Sequence, residues 1–510
     1  MQKSGFSFSG CSRRRFLVLM LFQLIAMCLV WTVLQHLSTD ISEWLPRSLS
    51  GQEWELNEEI LTKRAKLPFS ESSGDPNDAK AGGGLGFIPF SNELSRSLHL
   101  KNQEPPRNRD LFPELAADHV PIVLYVHNRP QYLQVVVDSL AKVKDIEKTL
   151  LIVSHDGYFP AMNAIVDNIK FCQVKPIYAI FSPHLFQDSF PGLGPDDCRG
   201  AEDHAERGCV GNPDQYGNHR AVRIISLKHH WWWMMNTVWD GLAETRNHDG
   251  NILFIEEDHV ILPDAYCAIQ MLIKLKATKC PECLAVNLAP VDVNSRGENY
   301  PVLIVEKIGN VGYSFNRTVF NMIHSKSKPF CKFDDYNWDI TMWAAVFPSF
   351  PSAGYTLRGP RASAMHFGKC GLHQGQEKGK PECIDDYDRL KVTSDETEPY
   401  LNEEWKVMKF PIRGYNKGFE GWGGWGDKRD QQLCLDFSIM YRRSNRNMPF
   451  EDGVQQGILV RKHSYPLEPR AAQTSILSSV RPLGITKQGR HGHHVSLPSQ
   501  VCSTLVASNK

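Results

Sequence analysis

The most constraining stretch in the chain is Asn251-Ile-Leu-Phe-Ile-Glu-Glu-Asp258-His259, where four successive apolar residues run straight into three carboxylates. An apolar run of this length bounded by polar residues reads as a buried strand, so the acidic group sits at a strand terminus instead of on a flexible tail. Three neighbouring anions repel one another unless solvent, cations or ordered donors compensate them. A hard divalent cation supplies that compensation, and Mg²⁺ or Mn²⁺ held there can bridge diphosphate oxygens. The plainer alternative is a solvated acidic turn.

Two further strands point to the same architecture. Val120-Pro-Ile-Val-Leu-Tyr-Val126 ends at His127-Asn128-Arg129-Pro130, after which Tyr132, Val135, Val136 and Leu140 recur at helical spacing. Thr149-Leu-Leu-Ile-Val-Ser154 ends in His155-Asp156-Gly157. Two βα units with polar groups at their carboxyl ends predict an α/β fold with a mostly parallel central sheet and a ligand outside the strand ends. Neither GxGxxG nor GxxxxGK[ST] occurs, so a dinucleotide site or an ATP-cradling loop lacks its main sequence support. His127, Asn128 and Arg129 can still hold a nucleotide, the guanidinium by clamping phosphate oxygens. Asp156 either accepts from a base or ribose or caps the next helix.

Tyr216-Gly-Asn-His-Arg220 leads into Val222-Arg-Ile-Ile-Ser-Leu-Lys-His-His230 and then Trp231-Trp-Trp-Met-Met235. The tryptophans read as core because each indole carries a large apolar area. Lys228, His229 and His230 read as a polar junction able to face a diphosphate. Two more segments carry chemistry. Asp339, after Asp334-Asp-Tyr-Asn-Trp338, opens an apolar helical pattern, which permits either a helix cap or a base for an acceptor alcohol. In Ala364-Met-His366-Phe-Gly-Lys-Cys-Gly-Leu-His373, His366 can complete a metal shell that His373 orients, or both can lie in an uncoordinated turn.

The ends of the chain concern compartment. Phe16 to Leu34 is apolar except for Gln23 and Thr32 and follows Arg13, Arg14 and Arg15. At ~1.5 Å per residue it reaches about 28 Å, close to a hydrocarbon core, and no convincing cleavage site follows it. The cationic flank places residues 1–15 in the cytosol, 16–34 in a retained transmembrane anchor and the bulk of the chain in a lumen. Residues 35–115, with glycines near 82–86 and Glu104-Pro-Pro106, read as a stem; 116–443 as the catalytic domain; and 444–510, basic and patchy, as a disordered extension. The 57 basic against 57 acidic residues argue against nucleic-acid binding. Of 13 cysteines, Cys11 and Cys28 lie before or within the anchor. Spacing in an oxidising compartment suggests Cys198 with Cys209, Cys280 with Cys283 and Cys370 with Cys383, plus a longer closure of Cys331 with Cys434. Asn316-Arg-Thr318 is an N-glycan acceptor if exposed.

Taken in order, Tyr125-Val-His-Asn-Arg-Pro130, Lys228-His-His-Trp-Trp-Trp233, Ile255-Glu-Glu-Asp-His259, Tyr336-Asn-Trp-Asp339 and His366-Phe-Gly-Lys-Cys-Gly-Leu-His373 resemble the N-acetylglucosaminyltransferase II family. The resemblance spans roughly residues 115 to 440. It implies a Golgi type II membrane enzyme with a GT-A-like fold that uses UDP-N-acetylglucosamine and Mn²⁺, and it leaves room for a homo-oligomer. It also implies that Tyr125, Val126, His127, Asn128, Arg129, Asp156, Ser226, Leu227, Lys228, His229 and His230 contact the nucleotide sugar. Asp258 and His366 would hold manganese, and Asp339 would be the base. The implied acceptor is the alpha-1,6-arm mannose of an N-glycan, joined in beta-1,2 linkage with inversion. Another manganese-dependent nucleotide-sugar transferase, or a carbohydrate-binding protein without catalysis, stands as the alternative. The usual carboxylate pair of a glycoside hydrolase fits the acidic cluster less well than a donor diphosphate does.

Overall fold

The computed structural model describes residues 93–442 apart from 203–206, 299, 353, 369–400, 413–414 and 416–417. The expected anchor at 16–34, most of the stem, the extension beyond 443, His373 and the Cys370–Cys383 pair lie outside the described residues. No helix among the described residues is long and apolar enough to cross a membrane.

In chain order the elements that frame the site are α1 (Glu93–Lys101), β1 (Ile122–Val126), α2 (Pro130–Leu140), β2 (Leu150–His155), α3 (Pro160–Asp167), β3 (Gln173–Tyr178) and α4 (Val222–Asn236). Then come β4 (Asn251–Glu256), β5 (His259–Ile261), α5 (Ala265–Lys279), β6 (Ala285–Asn287), β7 (Leu303–Lys307) and β8 (Tyr313–Asn316). α6 (Arg317–His324), α7 (Ser327–Lys332), α8 (Trp338–Thr341), β9 (Tyr355–Arg358), β10 (Ala364–His366), β11 (Val407–Lys409) and α9 (Lys428–Ile439) complete the series.

Nine strands form one mixed sheet in the order β11-β7-β9-β6-β8-β4-β1-β2-β3. Its β4-β1-β2-β3 half is parallel throughout, and β8 runs antiparallel to both β4 and β6. The sequence revealed the parallel half because those strands, covered on both faces, are continuous apolar runs. β1 divides its side chains between the two faces: Ile122, Leu124 and Val126 join one core, Val123 and Tyr125 the other. The second core holds Trp231, Trp232, Trp233 and Trp239, all buried as expected of indoles in an apolar helix.

α1 lies within the stretch read as stem, yet it packs on the sheet. Leu98 is buried and Asn102, just beyond the helix, exchanges hydrogen bonds with Tyr178 at 2.8 and 2.9 Å. Arg107 then bridges to Val174 on β3, so residues ahead of 116 pack on the sheet. Cys198–Cys209, Cys280–Cys283 and Cys331–Cys434 are disulfides, as their spacing and compartment suggested. Asn316 is half-buried, and its Oδ1 accepts from the Val319 amide at 3.1 Å, capping α6.

Candidate active site

The strand ends that carry polar residues converge outside the carboxyl edge of the parallel half-sheet. β1 and β4 are paired with Tyr125 opposite Glu256, which brings His127–Arg129 beside Glu257 and Asp258. Arg129 donates from Nε to Glu257 Oε1 at 2.6 Å and from its guanidinium to Asp258 Oδ2 at 3.0 Å. The His127 amide donates to Glu257 Oε2 at 2.9 Å. Glu257 is therefore consumed by an internal ion pair. Tyr125 Oη donates to Glu256 Oε1 at 3.0 Å. Burial, then the charges of Asp258 and Asp339, push the Glu256 carboxyl well above its ordinary range.

Asp258 behaves in the opposite way. Burial would raise its pKa, but His366 and the Arg129 guanidinium overcome that effect and hold it far below the usual carboxylate range. His366 arrives because β10 pairs antiparallel with β5, setting His366 opposite His259, and its Nε2 stands 3.6 Å from Asp258 Oδ2. His259 Nδ1 accepts from the Glu256 amide at 3.1 Å. Burial depresses the His259 pKa to about 3, so the ring is neutral and its proton sits on Nε2, which leaves it a donor and not a metal ligand. Asp258 Oδ1 is buried with no hydrogen-bond partner among the described residues. An anionic carboxylate with an orphaned oxygen beside an imidazole fits a hard-to-borderline divalent cation such as Mn²⁺. Glu256 and Asp258 also place carboxylate oxygens within 4.8 Å of one another.

One strand further along, His127 Nδ1 meets Asp156 Oδ2 at 2.9 Å, and Ser182 Oγ donates to Asp156 Oδ1 at 3.0 Å. His184 Nε2 lies 3.6 Å from the same carboxylate. Asp156 is anionic here: its hydrogen bonds to His127 and His184 outweigh a large burial penalty. His230 belongs to this group, with Nε2 against Ser154 Oγ at 2.8 Å. His155 is buried and stacks on Tyr178 at 4.8 Å.

The segment from Ser226 to His230 differs from the sequence reading. It is not a polar junction: α4 runs unbroken through it, and its polar side chains turn inward. Lys228 Nζ donates to the carbonyls of Phe333 and Asp335 at 3.0 and 2.9 Å, while His229 Nε2 meets Asp430 Oδ1 at 2.9 Å. Ser226 Oγ donates to the Arg223 carbonyl and Leu227 is half-buried. The Val126 side chain is core and its carbonyl accepts from the Asp156 amide, whereas Asn128 is exposed.

Asp339 faces a cavity of about 190 Å³ whose walls include Trp231, Trp338, Tyr313, Lys307 and Tyr415. The N-cap position of α8 is Asn337, and Asp339 lies in the first turn with Oδ1 accepting from the Ile340 amide at 2.8 Å. Burial and the nearby Asp335 raise its pKa above the ordinary value, the Ile340 hydrogen bond opposing them. Trp338 stacks flat on Trp231 at 4.6 Å and meets Tyr125 edge-on at 6.4 Å. Lys307 Nζ lies 4.2 Å from the Trp343 ring centroid and 5.5 Å from that of Tyr415. Sequence reasoning missed Lys307, Tyr415, Glu256, Ser182 and His184 as members of these sites. Of these only Glu256 stands in a motif, as one of the three adjacent acids of Ile255-Glu-Glu-Asp-His259.

With this geometry in hand, comparison with known proteins identifies the lineage. The sequence profile described as N-acetylglucosaminyltransferase II (MGAT2) matches residues 96–434. An alpha-1,6-mannosyl-glycoprotein 2-beta-N-acetylglucosaminyltransferase from Arabidopsis thaliana is 60% identical over 372 residues, covering 72% of this chain and 86% of the relative. Proteins of the same name from Rattus norvegicus and Homo sapiens are each 31% identical, over 353 and 350 residues, covering 65% of this chain and 77% and 76% of the relatives. The chain belongs to the N-acetylglucosaminyltransferase II family.

Proposed function

On the premise of that family membership, we propose that the protein transfers N-acetylglucosamine from UDP-N-acetylglucosamine, in beta-1,2 linkage and with inversion, to the alpha-1,6-arm mannose of an N-glycan. The observation that carries the reading is a half-buried Asp339 in an aromatic-walled cavity, whose charge is felt by Glu256 together with that of Asp258. The Asp339 carboxylate is thus within electrostatic reach of the donor-side strand end, and an in-line displacement requires acceptor and donor to be held side by side. Aromatic walls suit the apolar faces of a sugar.

The mannose 2-hydroxyl oxygen attacks the anomeric carbon, the bond from that carbon to the UDP oxygen breaks, and UDP departs with the electron pair. Asp339 takes the hydroxyl proton. Its raised pKa brings the carboxylate nearer working pH and makes it a stronger base than an exposed aspartate. Asp258 and His366 would hold Mn²⁺, which when bound offsets the charge gathering on the departing diphosphate. Arg129 keeps Glu257 and Asp258 in place. His127, Asn128 and Asp156 line the crevice where the nucleoside would lie, joined by His230. Inversion needs no protein nucleophile. A lumenal Golgi setting with a type II anchor at 16–34 accords with the cysteine pairing and the cationic N-terminal flank.

The test is the purified lumenal protein with Mn²⁺ against a panel of nucleotide sugars and branched N-glycans. The expected product carries a new beta-1,2 N-acetylglucosamine on the alpha-1,6-arm mannose. Transfer of another sugar would favour the broader nucleotide-sugar transferase reading, and glycan binding without transfer would favour a binding protein.

A further inference from the structure

Lys228 is one of the largest fully buried side chains among the described residues, and it is not among the residues that line the Asp339 cavity. Its ammonium rests among the Phe330 and Trp425 rings, with centroids at 5.0 and 4.7 Å, and donates to the carbonyls of Phe333 and Asp335. Those two carbonyls belong to the loop that delivers Asp339. The Asp335 carboxylate in turn accepts from the Asn337 amide at 2.8 Å, and the Thr341 hydroxyl donates to the Asp335 carbonyl at 3.3 Å, spanning the first turn of α8 on both sides of Asp339. One turn of α4 therefore does two things: His230 reaches the Asp156 group on the donor side, and Lys228, two residues earlier, grips the base-bearing loop.

We infer that Lys228 is a positioning residue for Asp339, acting from the donor-side helix by fixing the Phe333 and Asp335 carbonyls, and that it makes no contact with the donor diphosphate. Burial pushes the Lys228 pKa down to about 7 against the pull of Asp335 and Asp334. A neutral amine keeps two N–H groups, enough for both carbonyls, so the grip survives loss of the charge. The inference rests on Asp339 being the base. It extends that reading by making base placement depend on a residue that touches neither substrate nor metal.

The test is a cycle of Lys228→Met, Asp339→Asn and the double variant, each measured for single-turnover transfer at saturating donor and acceptor and for UDP affinity with Mn²⁺. Misplacing a base by an ångström costs up to about 100-fold, so Lys228→Met is expected to lose roughly 10- to 100-fold in turnover with UDP affinity within about twofold. In the Asp339→Asn background the same change should cost almost nothing more, because a residue acting through the base has nothing left to place. A global folding defect would add to the Asp339→Asn loss, and a diphosphate contact would weaken UDP binding; either result overturns the inference. Normal turnover by Lys228→Met beside a slow Asp339→Asn overturns it alone, whereas normal turnover by Asp339→Asn takes down the base reading as well. Should Lys228→Met fail to fold, Lys228→Gln, which keeps an N–H donor for one carbonyl, carries the same measurements.

Discussion

The donor side and the base side of this site are built by different physics. Around Asp258 and Asp156 the side chains sit at the ends of parallel strands and are held through carboxylates, by the Arg129 ion pairs to Glu257 and Asp258 and by the hydrogen bond between His127 and Asp156. Around Asp339 the holding is mostly done by backbone and rings. Asp334 accepts from the amides of Gln215 and Trp425, Asp335 accepts from that of Trp422, and Trp338 is stacked on Trp231. The glycines that close this loop are required by space. A Cβ on Gly421 would stand 2.3 Å from the Asp334 carbonyl oxygen, at a φ of 103° that L side chains rarely adopt. Charge pairing tolerates a shift of one partner only at the cost of a buried unpaired ion, whereas a loop pinned by amides can be loosened by degrees. The donor half should therefore fail abruptly and the base half gradually, except at the base itself.

The largest effect expected is at Asp339. Asp339→Asn keeps the side chain's size and its hydrogen bond from the Ile340 amide but removes the proton-accepting charge. Transfer should fall about 10²- to 10⁴-fold, or roughly 3 to 5 kcal/mol of activation free energy. UDP and manganese binding should persist, since both are assigned to the other half. Near-normal single turnover in a folded Asp339→Asn enzyme would rule out the base.

On the donor side, Asp258→Ala removes the hard oxygen ligand and leaves Arg129 paired with Glu257 alone. Manganese affinity should fall by about 10²-fold, with His366→Ala giving a smaller loss, perceptible chiefly at limiting metal. Manganese titrations of the purified variants, followed by UDP affinity, give the result. Unchanged metal affinity in both would show that the cation is held elsewhere and would dissolve the contrast between a half held by ion pairs and one held by backbone amides and rings.

How much of this was legible follows from the same contrast. The acidic strand end, the βα turns and the tryptophan helix announce themselves in contiguous sequence, because a strand buried on both faces must be apolar throughout and its polar residues can only collect at the end. His366 was readable as a candidate, but its meeting with Asp258 depends on the β5–β10 register, which no local pattern encodes. Lys228 and His229 read differently in the sequence for a related reason: polar residues before a tryptophan run look like a wet junction unless their buried partners are known. Those partners are Phe333, Asp335 and Asp430, more than 100 positions away in the chain. The cavity walls Lys307 and Tyr415 are similarly scattered.

A third test weakens the base side without touching it. Cys331 and Cys434 close a 103-residue separation, and the Trp425 indole donates to the Cys331 carbonyl at 2.8 Å. Replacing both cysteines by alanine should cost about 2–4 kcal/mol of stability, read by denaturant unfolding. Turnover at low temperature should decline only modestly. A collapse of UDP binding in that variant would mean that the two halves are less separable than their construction indicates.

The smallest expected effect lies where the halves join. Asp430 on α9 is fully buried, accepts from Arg220 at 2.8 and 2.7 Å and meets His229 of the donor-side helix at 2.9 Å. Burial alone would raise its pKa, but the Arg220 charge and the His229 hydrogen bond pull it from 3.8 to about 2. A carboxylate with a lower pKa in the folded state binds fewer protons there than in the unfolded chain, so it stabilises the fold above about pH 4 and stops doing so as pH falls toward 2. Nearly two pKa units correspond to roughly 2 kcal/mol. Asp430→Asn cannot titrate, so its unfolding free energy should fall less steeply than that of the wild type between about pH 4 and 2, even though it is the less stable protein at pH 7. Asp156 and Asp258 also carry depressed pKa values, which is why the difference between the two curves, and not either curve alone, isolates this residue. Parallel curves over that interval would mean that Asp430 keeps an ordinary pKa in the folded protein, and that the join between the halves rests on packing and not on charge.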